Sequence, residues 1–239
     1  MFSFPLRSMK LAIVSAVWKR PEVLELFATG IRLLKENSPL EIYVILSGSE
    51  GAVSRKMVEN HGFLYIEMPN EPLALKMNAP VLKAKELNVD YVLCLGSDDI
   101  ISPELMRVYE REMGEDYDFI GVLDWYFYDT ETKKALYWGG YREPYRKGHT
   151  CGAGRVISKR LMEAWNWQPW EVKDSLMLDS SMQDKLKATE HSWSKLSLLE
   201  EGVFALDIKS STNMTPFKNW DNTCEIDVDV IKKHFPYLW

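Results

Sequence analysis

Cysteine is scarce in this 239-residue chain: Cys94, Cys151 and Cys224 are the only three, far apart and with no CxxC pair. That spacing excludes a disulfide framework and a cysteine-built zinc site, and it favours a reducing compartment such as the cytoplasm. Long apolar runs are missing as well. None reaches the roughly 18–20 residues a bilayer-spanning helix needs, so no integral membrane contact is expected. Residues 11–18 could pass for a signal-peptide core, but Trp18-Lys19-Arg20-Pro21 is a poor cleavage sequence, and the run reads better as a first β-strand. Nor is there an excess of positive charge: 29 Lys and Arg face 35 Asp and Glu, a formal net charge of −6. Attraction to nucleic acid or anionic lipid therefore requires a local basic patch. Repeats, low-complexity tracts and linkers are absent, which leaves a single domain over 1–239, long enough to bury a substantial core.

What is present is alternation. Residues 10–17 read as a strand. Pro21 then opens a helix to about Asn37, with Val23, Leu24, Phe27, Ile31 and Leu34 at helical spacing. A strand over 41–46, ended by Ser47-Gly48-Ser49-Glu50-Gly51, precedes a helix over 52–61 and a short strand over 63–67. Residues 72–87 are helical, and Pro80 is expected to kink or divide that helix. A strand over 91–95 follows. This rhythm predicts a parallel, Rossmann-like half over 9–117. From about Asp118 the texture changes. Residues 119–128 and 135–141 are rich in aromatics on either side of Asp129-Thr130-Glu131-Thr132, which predicts an antiparallel pair laid against the first half. Helices over 155–165 and 179–188, a last strand over 203–208 and an irregular aromatic tail complete the second half, 118–239. The fold class is α/β.

Chemistry concentrates where the strand 91–95 runs into Gly96-Ser97-Asp98-Asp99. The apolar run suits a central strand, and in open α/β sheets the carboxyl ends of such strands face the ligand crevice. Two carboxylates fixed there repel each other. A hard divalent cation, Mg²⁺ or Mn²⁺, relieves the repulsion and holds a phosphate-bearing substrate. A competing reading makes Asp98 and Asp99 caps for the helix that Pro103-Glu104-Leu105 opens.

In order, the Trp18-Lys19-Arg20-Pro21 loop, Lys76-Met77-Asn78, Gly96-Ser97-Asp98-Asp99-Ile100, Gly152-Ala153-Gly154-Arg155, Asp179 and Leu206-Asp207-Ile208-Lys209 resemble the family 2 type of glycosyltransferases with the GT-A fold. The resemblance covers roughly residues 10–217. It implies a Rossmann-like mixed sheet flanked by helices, with a smaller antiparallel acceptor-side part. It further implies transfer of a sugar from a nucleotide donor with inversion at the anomeric carbon. On that resemblance Asp98 and Asp99 are the metal ligands and Asp179 is the general base, with Asp174 and Asp184 nearby alternatives. Asp207 and Lys209 alternate on the last strand and so point the same way, either closing the site as a further metal ligand and a diphosphate contact or forming a surface ion pair. Val17, Trp18, Arg20, Ser47, Lys76, Asn78, Ser97 and Lys209 fall on the donor side. The chain departs from the family where an upstream acid of the metal motif gives way to Gly96 or Ser97, where Leu178 stands before the base, and where Ser47-Gly48-Ser49 replaces the acid after the second strand.

Residues 137–149 interleave aromatics with Arg142, Arg146, Lys147 and His149 on a glycine framework, so Trp138, Tyr141, Arg142, Arg146 and His149 are the acceptor-side candidates. Such a loop suits a glycan or a nucleic acid, because sugars and bases both stack on aromatic faces and arginine pairs with phosphate. His149 is also a possible metal ligand. Resemblance to phage-type enzymes makes a 5-hydroxymethylpyrimidine in phage DNA the leading acceptor, which would place the protein in the cytoplasm of a bacterial host. The alternatives are surface polysaccharide or lipopolysaccharide synthesis, and a nucleotide-sugar-binding module that has lost its chemistry.

Overall fold

The computed structural model describes residues 8–172, 178–210, 217 and 222–239. Its first part alternates as the periodicity requires: β1 (Lys10–Ala16), α1 (Pro21–Asn37), β2 (Glu41–Gly48), α2 (Ala52–Glu59), β3 (Leu64–Glu67), α3 (Leu73–Glu86) and β4 (Tyr91–Cys94). Then come β5 (Asp99–Ile101), α4 (Pro103–Gly114), β6 (Phe119–Val122), β7 (Trp125–Asp129), β8 (Ala135–Trp138), β9 (Arg155–Ser158) and α5 (Lys159–Ala164). The chain ends with α6 (Leu178–Ala188), β10 (Trp193–Leu196), α7 (Leu198–Glu201), β11 (Ala205–Lys209), β12 (Thr223–Ile226) and α8 (Val228–His234).

Two sheets result. The larger has the order β10-β6-β9-β4-β1-β2-β3, and the smaller β12-β8-β7-β11-β5. In the larger sheet β3, β2, β1 and β4 are mutually parallel, while β9 runs antiparallel to both β4 and β6. Both faces are covered, which is why β1 reads as an unbroken apolar run. Leu11 and Ile13 join the core that contains Phe27, Ile31 and Leu105, whereas Ala12 and Val14 join the one with Val81, Met162 and Met182. All five apolar positions assigned to the inner face of α1 are buried.

Several elements differ from expectation. Pro80 neither divides nor ends α3, which runs through it. A proline leaves the carbonyl four residues earlier without its helical donor, and here the buried Ser47 Oγ donates to the Lys76 carbonyl at 2.6 Å. Ser47→Ala is therefore expected to cost about 1–3 kcal/mol, the usual penalty for an orphaned buried acceptor. Pro80→Ala restores an N–H donor, so urea unfolding should show the Ser47→Ala cost shrinking in that background. Equal cost in both backgrounds would refute the repair.

The stretch 119–128 is two strands rather than one. β6 lies in the larger sheet, and only β7 pairs with β8 as the expected hairpin, closed by Asp129 accepting from Glu131 N and Thr132 Oγ1. Between the two strands sits Asp124, buried and accepting from Tyr137 Oη, Ser197 Oγ and the amides of Leu198 and Leu199, so it holds the start of α7. The expected helix over 155–165 begins as β9 and becomes helical only at Lys159. The tail contains β12 and α8, with Asp227 capping the Asp229 amide.

Candidate active site

After β3 the chain returns through α3 to β4, on the opposite side of β1 from β2 and β3. The gap beyond the carboxyl ends of β1 and β4 is thus a topological switch point, where ligands bind in open α/β sheets. The acidic pair lies there. β4 stops at Cys94, the chain turns at Ser97 and Asp98, and Asp99 opens β5 in the smaller sheet. The capping reading is set aside, because Ser102 caps α4 through its Oγ and the Leu105 amide. A side chain at Gly96, one of the two positions where the family's upstream acid would fall, would meet the carboxylates of Asp98 and Asp99 at 2.6 and 2.7 Å and displace them.

The smaller sheet supplies the third carboxylate. β11 pairs antiparallel with β5 and sets Asp207 opposite Asp99, while Ile208 N donates to the Asp98 carbonyl at 2.7 Å. One ligand atom each from Asp98, Asp99 and Asp207 lie within 4.8 Å of one another. Two cations flank them. Arg20 Nη1 is 2.6 Å from Asp98 Oδ2, with Nη2 donating to Ser97 Oγ, and Lys209 Nζ is 2.6 Å from Asp207 Oδ2. The even-numbered spacing on β11 thus produces an enclosed pair rather than a surface one. Asp207 Oδ1 is buried without a hydrogen-bond partner among the described residues. Burial, followed by repulsion from Asp207 and Asp98, drives the Asp99 carboxyl well above its ordinary range. Burial and Asp98 push Asp207 up to about 7 against the pull of Lys209 and Arg20. An orphaned buried oxygen in an all-oxygen, acid-rich cluster fits a hard divalent cation.

On the other predicted donor-side residues the structure is more selective. Lys76 is buried: Nζ donates to the Val17 carbonyl at 2.8 Å, to Asn70 Oδ1 at 2.9 Å and to Ser49 Oγ at 3.2 Å. Burial lowers its ammonium pKa, although Glu50, Glu67 and Glu71 pull it back. Trp18 remains exposed at the mouth with Lys19 Nζ 4.6 Å from its ring centre. Asn78 is committed elsewhere, exchanging two hydrogen bonds with the Trp170 backbone. Ser47 serves α3, as described above.

Asp179 is at the first turn of α6. Its carboxylate lies where a Gly152 side chain would be, 2.3 Å from that ideal Cβ, and Gly154 N donates to the Cys94 carbonyl. The glycine-rich segment therefore seats Asp179 beside the end of β4. Sequence reasoning missed Arg155 as a site residue. Its guanidinium, almost wholly buried, holds Thr150 Oγ1 and the Thr150 carbonyl and comes within 3.6 Å of Asp179 Oδ1. The signal available was its place directly after Gly152-Ala153-Gly154. Around Asp179 opens a cavity of about 410 Å³, lined also by Tyr145, Arg146, His149, Gln183 and Lys187. The Arg146 guanidinium lies 3.5 Å from the Tyr141 ring centre, and Tyr141 packs edge-on against Trp138. Burial, then the charge of Asp179, pushes the Tyr141 hydroxyl up to about 12. Arg142 is exposed and is not among the described residues lining the cavity. Asp184 lines it too, whereas Asp174 lies outside the described residues.

The chain matches no protein-family model and no curated protein. Among solved structures it is similar to the inositol-1-phosphate CTP transferase from T. maritima, with 12% identity, a TM-score of 0.50, and coverage of 87% of this chain and 92% of that one. It is also similar to CMP:2-keto-3-deoxy-manno-octonic acid synthetase complexed with CTP, at 11% identity and a TM-score of 0.50, covering 80% and 90%. S. aureus TarS 1–349 matches with 12% identity, a TM-score of 0.49, 78% of this chain and 60% of that one, so the chain spans about three-fifths of that structure's length. The likeness at these identities is one of fold, and the fold is GT-A-like. No helix among the described residues is long and apolar enough to cross a membrane.

Proposed function

We propose that this protein is a divalent-metal-dependent, inverting glycosyltransferase that moves a sugar from a nucleotide-sugar donor to an acceptor hydroxyl. The observation that carries the reading is the partly buried Asp98–Asp99–Asp207 cluster at the switch point, with Arg20 and Lys209 beside it. Bound there, Mn²⁺ or Mg²⁺ supplies positive charge to the diphosphate as it leaves. Arg20 and Lys209 can donate to the same diphosphate oxygens. Trp18 offers an exposed ring at the nucleotide side of the fold. Asp179 accepts the proton of the acceptor hydroxyl as its oxygen attacks the anomeric carbon, the bond to the nucleoside diphosphate breaks, and the configuration inverts. Arg155 keeps the Asp179 carboxylate turned into the cavity. The basic, aromatic loop around Tyr141 and Arg146 favours a 5-hydroxymethylpyrimidine of phage DNA as acceptor over a neutral glycan.

The test incubates the protein, Mn²⁺ and a panel of nucleotide sugars with DNA containing 5-hydroxymethylcytosine, with mass spectrometry of the digested nucleosides. A hexose or pentose adduct together with free nucleoside diphosphate is expected. Release of pyrophosphate from a nucleoside triphosphate would instead assign nucleotidyl transfer, and no turnover of any donor would leave only a binding module.

The raised carboxyl pKa values add a pH dependence. A cation needs the ionised form, so metal affinity should rise as pH climbs through about 7, with protons released on binding. Without the cation, a carboxyl whose folded pKa exceeds its unfolded one stabilises the fold at low pH and loses that contribution as pH rises through about 7. Mn²⁺ should therefore raise the melting temperature more at about pH 8 than at about pH 6. A larger shift at the lower pH would contradict the assignment.

A further inference from the structure

Beside the cavity at Asp179 lies a second hollow of about 270 Å³, bounded by Lys147, Lys187, Lys195 and Trp193. The two are adjacent, with His149, Thr150, Gln183 and Lys187 lining both, and together they span the surface from Asp179 to the outer strand β10 as one path. The path is cationic on a molecule that is net acidic. Arg146, Lys147, Lys187 and Lys195 line it, and of these Lys187 has an exposed acidic neighbour, Asp184, at 3.9 Å. The charge is felt locally: burial and then Lys187, Arg146 and Lys195 hold His149 below its ordinary pKa. Aromatic surface accompanies it. Trp193 is 52% exposed and Tyr145 76%, and Lys195 Nζ stands 3.5 Å from the Trp193 ring centre while donating to the Gly148 carbonyl.

Resting on the transferase reading above, we infer that this path is a binding track for a single nucleic-acid strand, with phosphates on Lys147, Lys187 and Lys195 and a base stacked on Trp193. Point-charge ammonium groups suit phosphodiesters without demanding a fixed orientation. A stacking platform beside a cationic groove is the usual means of holding single strands without reading their sequence. The track ends at Asp179, so an unstacked base bearing a hydroxyl could lie against the carboxylate while its neighbours are held along α6 and β10. A neutral glycan would leave the four cations without a role. An anionic polysaccharide would use them but has no planar base for Trp193.

Fluorescence anisotropy of the full chain with a labelled single-stranded oligodeoxynucleotide, across a salt series, tests the assignment. Binding should weaken with salt, and Lys187→Ala/Lys195→Ala should flatten the log–log slope by about 0.7 for each phosphate no longer neutralised. Trp193→Ala should weaken binding by roughly five- to a hundredfold. Melting curves of the variants show whether these exposed positions leave the fold intact, and the salt series on the unaltered protein needs no variant. No binding, salt-independent binding, or equal competition by polygalacturonate would overturn the inference, the last in favour of an anionic glycan. Donor turnover is read separately. Release of nucleoside diphosphate without oligonucleotide binding sinks the track and leaves the enzyme, whereas binding without turnover does the reverse.

Discussion

Asp207→Asn is expected to weaken Mn²⁺ binding on the order of a hundredfold or more, beyond the ten- to hundredfold that losing a supporting group around a metal costs. Metal-dependent donor binding should fall with it. The amide keeps an oxygen for Lys209 Nζ, now 2.6 Å from Asp207 Oδ2, so the loss is confined to the charge and to Oδ1, the atom without a hydrogen-bond partner. That same change removes a buried repulsion among three carboxylates within 4.8 Å. At about pH 6, where burial and Asp98 already hold much of Asp207 in its neutral form, the metal-free variant should consequently melt no lower than the parent. Calorimetric titration with Mn²⁺ and a melting curve without it separate the two effects. Unchanged Mn²⁺ affinity would remove Asp207 from the ligand set, and a large drop in metal-free stability would make it a structural member of the Lys209 pair instead.

The second large effect belongs to Asp179. Asp179→Asn should retain donor binding and lose transfer by roughly 10²–10⁴-fold, the usual contribution of a positioned general base. Gly152→Ala should act on the same step without touching Asp179's chemistry. A methyl at Gly152 would approach the Asp179 carboxylate to within 2.3–2.7 Å. The side chain is the flexible end of a half-exposed residue, so it will swing away rather than unfold the protein. The expected signature is a lower kcat with little change in the donor KM and in melting temperature. Transfer at the parental rate in Asp179→Asn would hand the base role to another group, and Asp184, on the same cavity wall, would be the first to examine.

The parallel half was legible because its signals are local and repeated. Pro21 and the inner-face spacing fixed α1, and unbroken apolar runs fixed β1 and β4. What escaped was short or dependent on partners. β9 is four residues, Arg155-Val156-Ile157-Ser158, joined without a break to α5, and β-branched residues at a helix start look the same as a strand until β4 and β6 pair with it. Pro80 misled because its repair comes from Ser47, far back along the chain at the end of β2. At the site, the structure brings together Asp98, Asp99, Asp207 and Lys209, the first two legible as carboxylates at a strand end and the second two from their alternation on one strand. The roles of Asn78 and Arg155 were not, since a hydrogen bond to Trp170 and a 3.6 Å approach to Asp179 exist only once the chain has closed. Lys187, Lys195 and Trp193 carry no motif; their neighbourhood is a product of α6 packing beside β10.

The turn from Cys94 to Asp99 is also where the chain leaves the larger sheet for the smaller, in which Asp207 lies directly opposite Asp99. Asp99 and Asp207 thus belong to the smaller layer and Asp98 to the turn that leads into it, while Arg20, which follows β1 of the larger layer, reaches Asp98. A cation held by these carboxylates would bind the folded protein alone, so its binding free energy would add to the stability of the fold. Occupancy of the cluster and the stability of the fold would then move together.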